Sequence, residues 1–486
     1  ADAVKLLTTE IERNLNHERQ LVANPEGAVE VWLADADGIP FHRALSREFA
    51  YANAAQRLGI DLLRLTPNEQ RSQLLMLTAT LEVVAYSTGL DDAARLEQAE
   101  QSLQFKATDQ ELLEQVLVYA MKTGHLAAAT VAADVLGKIG DTSLLTAHSA
   151  EVRPLVQALT KGDRRLARAA AKSIVALKPA SGFAGSSDLL NTLAVLANSP
   201  GVKRALVVHP NTVATGQMAT LLGGLGYETD QASQSRDALS KAIASGDYEL
   251  VLLSSRLNTP PVWVALQQFR HDPRTAWLPI ALLAEDDSDD LNRMRALAEN
   301  EGQRFVEQTP ATAGIKPATT AFLRPVDPAG MKFFVERFNQ QTAASIVPAE
   351  LRKQQALQAL IWLGQLNAAS PRDFDLRFIE PQITRAFVNS ITSAAAAPLL
   401  AKIGNHSAQK ALANLAGNST QPLENRQAAA AAFSQAVREH GIQLTTLEIR
   451  NQYDRYNRSE IEDAATQQLL GLMLDAIEAH SKQLKR

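Results

Sequence analysis

The sequence predicts an α-rich multidomain protein in which arrays of paired helices flank one doubly wound α/β domain. Strand-length apolar runs, Leu206-Val207-Val208, Leu250-Val251-Leu252-Leu253 and Ile280-Ala281-Leu282-Leu283, are confined to the stretch from Val202 to Phe338. Runs of that kind suit a parallel sheet buried on both faces. Segments with helical apolar spacing, Asn211 to Leu225, Ser235 to Ser245 and Val262 to Phe269, alternate with them, as in an open sheet wound in both directions. Both flanks read as helix after helix, and a composition 46% hydrophobic but only 5% aromatic favours closely packed, alanine-rich helices.

A chain of 486 residues has room for about two to four domains. The expected division is 1–123, an N-terminal helical region; 124–200, helical repeats and a linker; 201–340, the α/β domain; and 341–486, helical repeats with a C-terminal helical cap. The first region reads as a helix from Asp2 to Leu15 and a loop around Asn24-Pro25-Glu26-Gly27. Asp35-Ala36-Asp37-Gly38 opens like a calcium loop, but Phe41-His42-Arg43-Ala44 offers none of the later carboxylates, so Leu33 to Pro40 is expected to be a turn between helices. Helices are expected at Ala44 to Leu58, Ile60 to Leu65, Asn68 to Ser87, Ala93 to Ser102 and Asp109 to Thr123. Thr66-Pro67-Asn68-Glu69 supplies a helix-start signal.

From Gly124 onward pairs of helices recur. Thr130 to Asp141 reads as a second helix with its exit turn, Pro154 to Asp163 as a first helix with its turn, and Arg168 to Leu177 as its mate. Lys178 to Ser187 is linker-like, one helix (Asp188 to Ala197) leads into the α/β stretch, and Asn339 to Pro348 leads out. Glu350 to Leu360, Ile379 to Asn389 and Asn425 to Ala430 resume the pattern, and Leu400-Ala401-Lys402-Ile403-Gly404-Asn405 echoes Leu136 to Asp141. Leu447 to Arg458 and Ile461 to His480 are expected to cap the array. This wording resembles HEAT repeats, helix pairs of about 40 residues that bury their apolar faces only by stacking.

The central stretch resembles the receiver domain of bacterial two-component response regulators. Ala205 to Asn211 lies where that family has its first strand and acidic pair, and Asp247 to Leu257 matches the third strand and phosphoacceptor turn. Leu278 to Ala284 matches the fourth strand, and Phe322-Leu323-Arg324-Pro325 the fifth with its Lys-Pro turn. The resemblance implies a flavodoxin-like fold with Ala321 to Leu323 as fifth strand, in preference to Arg304-Phe305-Val306, and with Thr309 to Thr320 as an inserted loop. It also locates a degenerate pocket. His209 and Pro210 replace the acidic pair, Ser254 the phosphoacceptor aspartate, Ala284 the switch threonine and Arg324 the lysine. An acyl phosphate needs a carboxylate nucleophile and a metal, so this pseudo-receiver is expected to be incapable of phosphotransfer, with no cofactor, no metal and no catalytic residue.

Other chemistry has little support. Ser254, His209 and Glu285 share a strand-end rim, yet no Gly-x-Ser-x-Gly elbow surrounds the serine. The acidic run Glu285 to Asp290 is expected to start a helix, and the nine histidines lack zinc-site spacing. Trp263 and Trp277 are expected to be packing anchors. A net charge of −5 argues against a nucleic-acid partner, no apolar run is long enough for a transmembrane segment, and the absence of cysteine fits cytoplasm or periplasm alike. The start at Ala1-Asp2 is compatible with a mature or truncated form of a longer protein. The expected function is a non-enzymatic scaffold that binds a protein partner. A small-molecule or ion sensor in the vacated pocket is the alternative, and a hydrolase on the same rim comes after it. Because the apolar seams at Ile174-Leu177 and Leu357-Leu360 need neighbours, the α/β domain is expected to be packed into the array, with the two halves docked or bridged.

Overall fold

The computed structural model describes residues 2–22, 24, 28–34, 38–91, 97, 110–146, 152–161, 163–272, 274–275, 278–283, 321–323, 332, 335–336, 346–461 and 463–483. The chain opens with α1 (Asp2–Leu15), then strands β1 (Val29–Ala34) and β2 (Pro40–Leu45), then α2 (Arg47–Leu65) and α3 (Gln70–Thr88). The strands form an antiparallel hairpin with Val29 opposite Leu45 and Ala34 opposite Pro40. That corrects the expectation of helices everywhere outside the central sheet: Val29–Ala34 and Pro40–Leu45, on either side of the expected turn, are strands. The period-two alternation of Val29, Val31 and Leu33 with Glu30 and Trp32, ahead of the dipeptide Asp37-Gly38, carries that information in the sequence.

Helix α2 is one helix where two were expected. Ser46 starts it by accepting a hydrogen bond from the Phe49 amide. It runs on through Gly59, where α3 packs so closely that a Cβ would come within 3.1 Å of Met76 Cα. Next come α4 (Gln110–Thr123), α5 (Leu126–Ile139), the single turn α6 (Pro154–Gln157), α7 (Arg164–Ala176) and α8 (Ser186–Ala197). The first helix and turn expected over Pro154 to Asp163 are the short α6 and a 3₁₀ turn, Ala158–Thr160. Asp163 belongs to the following helix, capping α7 by accepting from the Leu166 amide at 2.8 Å.

The α/β domain alternates β3 (Arg204–Val208), α9 (Thr212–Gly224), β4 (Glu228–Ala232), α10 (Ser235–Ala244), β5 (Tyr248–Ser254), α11 (Val262–His271), β6 (Ile280–Leu283) and β7 (Ala321–Leu323). The strands pair in the order β4-β3-β5-β6-β7, all parallel. Ala321–Leu323 is thus the fifth strand, as expected; Arg304 to Val306 and Thr309 to Thr320 lie outside the described residues. Strand alternation sends Leu206, Val208, Val251 and Leu253 to a core shared with α10 and α11. It sends Ala205, Val207, Leu250 and Leu252 to another, shared with Met218 and Leu222 of α9. Both faces are therefore buried, which is why these strands read as unbroken apolar runs.

The array resumes with α12 (Ala349–Ala369), α13 (Glu380–Val388), α14 (Ser393–Ile403), α15 (His406–Ala416), α16 (Leu423–His440), α17 (Thr446–Arg458) and α18 (Ala464–Gln483). One apolar core runs from Leu77 to Ala197 and continues from Ala359 to Ile477. The two halves dock directly, with α8 packed on α12 and α13, and Ile174 and Leu360 are buried in that shared core.

The sheet domain is fastened to this array through buried charge. In β5 an extra residue, Glu249, stands as a bulge between the partners of Arg204 and Ala205. Arg352 of α12, 2% exposed, places Nη2 2.5 Å from Glu249 Oε1 and Nε 3.1 Å from Asp247 Oδ1. It also donates to the carbonyls of Val347, at 2.9 Å, and Val202, at 3.4 Å, one on each chain crossing between array and sheet. Asp247 accepts from Ser199 Oγ at 2.5 Å. Beside it, Arg164 of α7 donates to Ser199 Oγ at 2.8 Å and to Gln355 Oε1 at 3.2 Å. Burial pushes the Arg164 guanidinium down to about 10, opposed by Asp247 and reinforced by Arg352; it stays charged at neutral pH.

Removing one partner of such a node leaves the others buried and uncompensated. Arg352→Met should therefore cost about 3–5 kcal/mol, read as a fall in the denaturant midpoint; an unchanged midpoint would show that the node does not hold the domain. Gly201 sits at φ +85° where the crossings touch, and a Cβ there would lie 2.1 Å from the Ala349 carbonyl oxygen. Gly201→Ala should destabilise by more than about 1 kcal/mol, measured in the same titration.

Candidate functional site

The carboxyl ends of parallel strands are where open α/β sheets place their ligands. Val208 pairs with Leu253, so the next residues, His209 and Ser254, stand on neighbouring central strands at that end. Both are buried. The His209 amide still belongs to the sheet, donating to the Ala232 carbonyl at 3.0 Å. Its Nδ1 accepts from the Asn211 amide at 2.9 Å. Asn211 in turn caps α9, its Oδ1 accepting from Val213 at 2.9 Å, and Thr215 Oγ1 donates to the His209 carbonyl at 3.3 Å.

Ser254 is treated the same way. Its Oγ accepts from the Arg256 amide at 3.1 Å, and its carbonyl accepts from Leu257 at 3.3 Å, closing a tight turn. The neighbouring Ser255 amide donates to the Leu283 carbonyl at 2.9 Å. The two side chains nearest the centre of the sheet thus organise backbone turns. Pro210 is exposed at the start of its loop. Ala284 and Arg324, expected to complete the pocket, lie outside the described residues, as do Trp277, the acidic run Glu285 to Asp290, and Asp35 to Asp37. Among the described residues no group of three His, Cys, Asp or Glu side chains could hold a metal.

Large apolar side chains are exposed at the same end of the sheet. Trp263 is 48% exposed and Val213 68% exposed, on the first turns of α11 and α9, which both begin at the carboxyl end of the sheet. For Trp263 this corrects the expected packing anchor. The buried stripe of α11 is Val262, Ala265, Leu266 and Phe269, at helical spacing i, i+3, i+4, i+7, and position 263 falls outside it.

The residues that sequence reasoning missed are those of the fastening node: Arg164, Asp247, Glu249 and Arg352. A signal existed in each half. Asp247 and Glu249 immediately precede the apolar run of β5, and Arg352 occupies the same helical stripe as Ala356, Ala359 and Leu363. A charge on an apolar stripe demands a buried partner, but one chain read alone does not say which carboxylate supplies it.

Ser254→Ala should destabilise by about 1 kcal/mol, the worth of a turn-closing hydrogen bond, whereas Trp263→Ser should stay within about 0.5 kcal/mol of the parent. Thermal unfolding of the two variants checks both expectations; equal losses would mean that Trp263 is packed after all. No family model matches the chain, and neither does any curated protein or solved structure.

Proposed function

We propose that this chain is a non-enzymatic scaffold, a protein-interaction module in which a receiver-like domain without phosphotransfer chemistry is held rigidly inside a HEAT-like helical array. The observation that carries the reading is the inversion at the carboxyl end of the sheet. The side chains at the family's reactive positions, His209 and Ser254, are buried and bonded to their own loops. The apolar side chains Val213 and Trp263 stand outside. A catalytic rim presents polar groups to a substrate, while a docking rim presents rigid apolar anchors, with tryptophan prominent among them. The parallel strand order β4-β3-β5-β6-β7 supports the receiver-like part of the reading. The shared core of the two helical halves supports a fixed platform behind it.

A photo-reactive residue placed at 263 or 213 should yield one discrete protein adduct in the cell of origin. Trp263→Asp should abolish capture from position 213 while leaving the melting temperature within a degree or two, as expected of an exposed substitution. Capture that is unaffected by Trp263→Asp would overturn the docking assignment. Treatment with acetyl phosphate and magnesium should leave the protein unmodified, since a serine in place of the aspartate cannot form the acyl phosphate. A stable phosphoprotein lost in Ser254→Ala would refute the loss of phosphotransfer.

A further inference from the structure

At the other end of the sheet, where the strands begin, a cleft of about 730 Å³ opens between the α/β domain and the array. Arg204, Asp230 and Tyr248 line it from the sheet, Lys241 from α10, and Arg385 and Val388 from α13. Its size is that of a small-molecule site. Most of its wall is apolar, and its cations are unevenly satisfied. Lys241 is matched by Asp237 at 2.8 Å. Asp230 is held by the Tyr248 hydroxyl at 2.6 Å, and that hydroxyl is pushed up by burial and then by this bond, so it remains a donor. Arg204 reaches Glu228 and Asp230 only at 3.4 and 3.5 Å, and its Nε is buried with no hydrogen-bond partner among the described residues. Arg385 donates from Nη1 to the Ala244 carbonyl at 3.2 Å and has no carboxylate partner among the described residues.

The geometry points to a binding site for a small organic anion, a carboxylate or phosphate ester with an apolar body, held by the Arg204 and Arg385 guanidinium groups against the apolar wall. Guanidinium forks suit carboxylate and phosphate oxygens alike, and Val388 with neighbouring alanine and proline residues offers a seat for the body. Arg204 belongs to the sheet and Arg385 to the array, so the ligand clamps the two bodies together. This inference is independent of what docks at the opposite end of the sheet.

The test is a thermal-shift and calorimetric titration of the full chain with benzoate, phenyl phosphate, inorganic phosphate and benzyl alcohol. Benzoate or phenyl phosphate should raise the melting temperature saturably, and whichever of the two does so identifies the head group. Benzyl alcohol and inorganic phosphate should bind far more weakly, since each lacks half of the recognition. Arg385→Gln, at an exposed position that does not threaten folding, should weaken binding by about tenfold or more, the worth of one charge-assisted contact. Asn389→Asp, adding a negative charge to the lining, should weaken it independently. A shift from benzyl alcohol equal to that from benzoate, binding unchanged in both variants, or no saturable shift from either organic anion would each overturn the assignment.

Discussion

A single buried guanidinium, that of Arg352, is the constraint on which the arrangement of the molecule depends. The chain leaves the array after α8, builds a five-stranded sheet, and returns into α12. An inserted domain joined by two strands of backbone would hinge freely unless something tied the crossings together. Arg352 ties them. It hydrogen-bonds the outgoing crossing at Val202, the incoming one at Val347 and Glu249 at the entry to β5, and forms an ion pair with Asp247 beside it. A charge 2% exposed is tolerable only with its partners in place, so the array, the crossings and the sheet hold their positions together. Gly201, the bulge at Glu249 and the second arginine, Arg164, are local consequences of bringing those groups into one small space.

This fastening gives the two ends of the sheet different characters. At the amino end the sheet meets helices, and the contact leaves a cleft with cations drawn from both bodies. At the carboxyl end the polar side chains of the central strands turn inward to cap their own loops, and apolar residues at helix starts remain in solvent. The cleft proposed for an organic anion thus lies at the end opposite the one that open α/β sheets ordinarily use.

The array works by close approach, which its composition anticipates. Ser173 of α7 donates to the Ala133 carbonyl of α5 at 2.7 Å, and a Cβ on Gly137 would sit 2.3 Å from Ser173 Oγ. Helices this near exclude large side chains, hence the runs of alanine. The echo between Leu136 to Asp141 and Leu400 to Asn405 has a shared local meaning. Each segment ends a helix at isoleucine and then starts the next turn with an Asp or Asn side chain accepting a backbone amide. The backbone exits differ, since Gly404 is left-handed at φ 60° while Gly140 is extended at φ −80°. The same wording is compatible with two directions of departure.

What the sequence by itself determined is whatever depends on local periodicity. The first parallel strands, their alternation with helices and most helix positions follow from apolar spacing within a dozen residues, while Ala321–Leu323 was picked as fifth strand by the resemblance and the Arg-Pro turn after it. The hairpin of β1 and β2 carried a signal of the same kind, alternation ahead of Asp37-Gly38, which the expected turn between helices passed over. Tertiary structure alone decided which charges meet. Arg352 and Glu249 are 103 positions apart, and Arg164 and Gln355 are 191 apart. Nothing in either segment specifies the other, because the partner of a buried charge is chosen by geometry after the helices and strands have packed. It likewise decided that Ser254 and His209 face their own turns and that Trp263 faces water. Side-chain direction is set by which helical stripe the core occupies, a property of the neighbours and not of the residue.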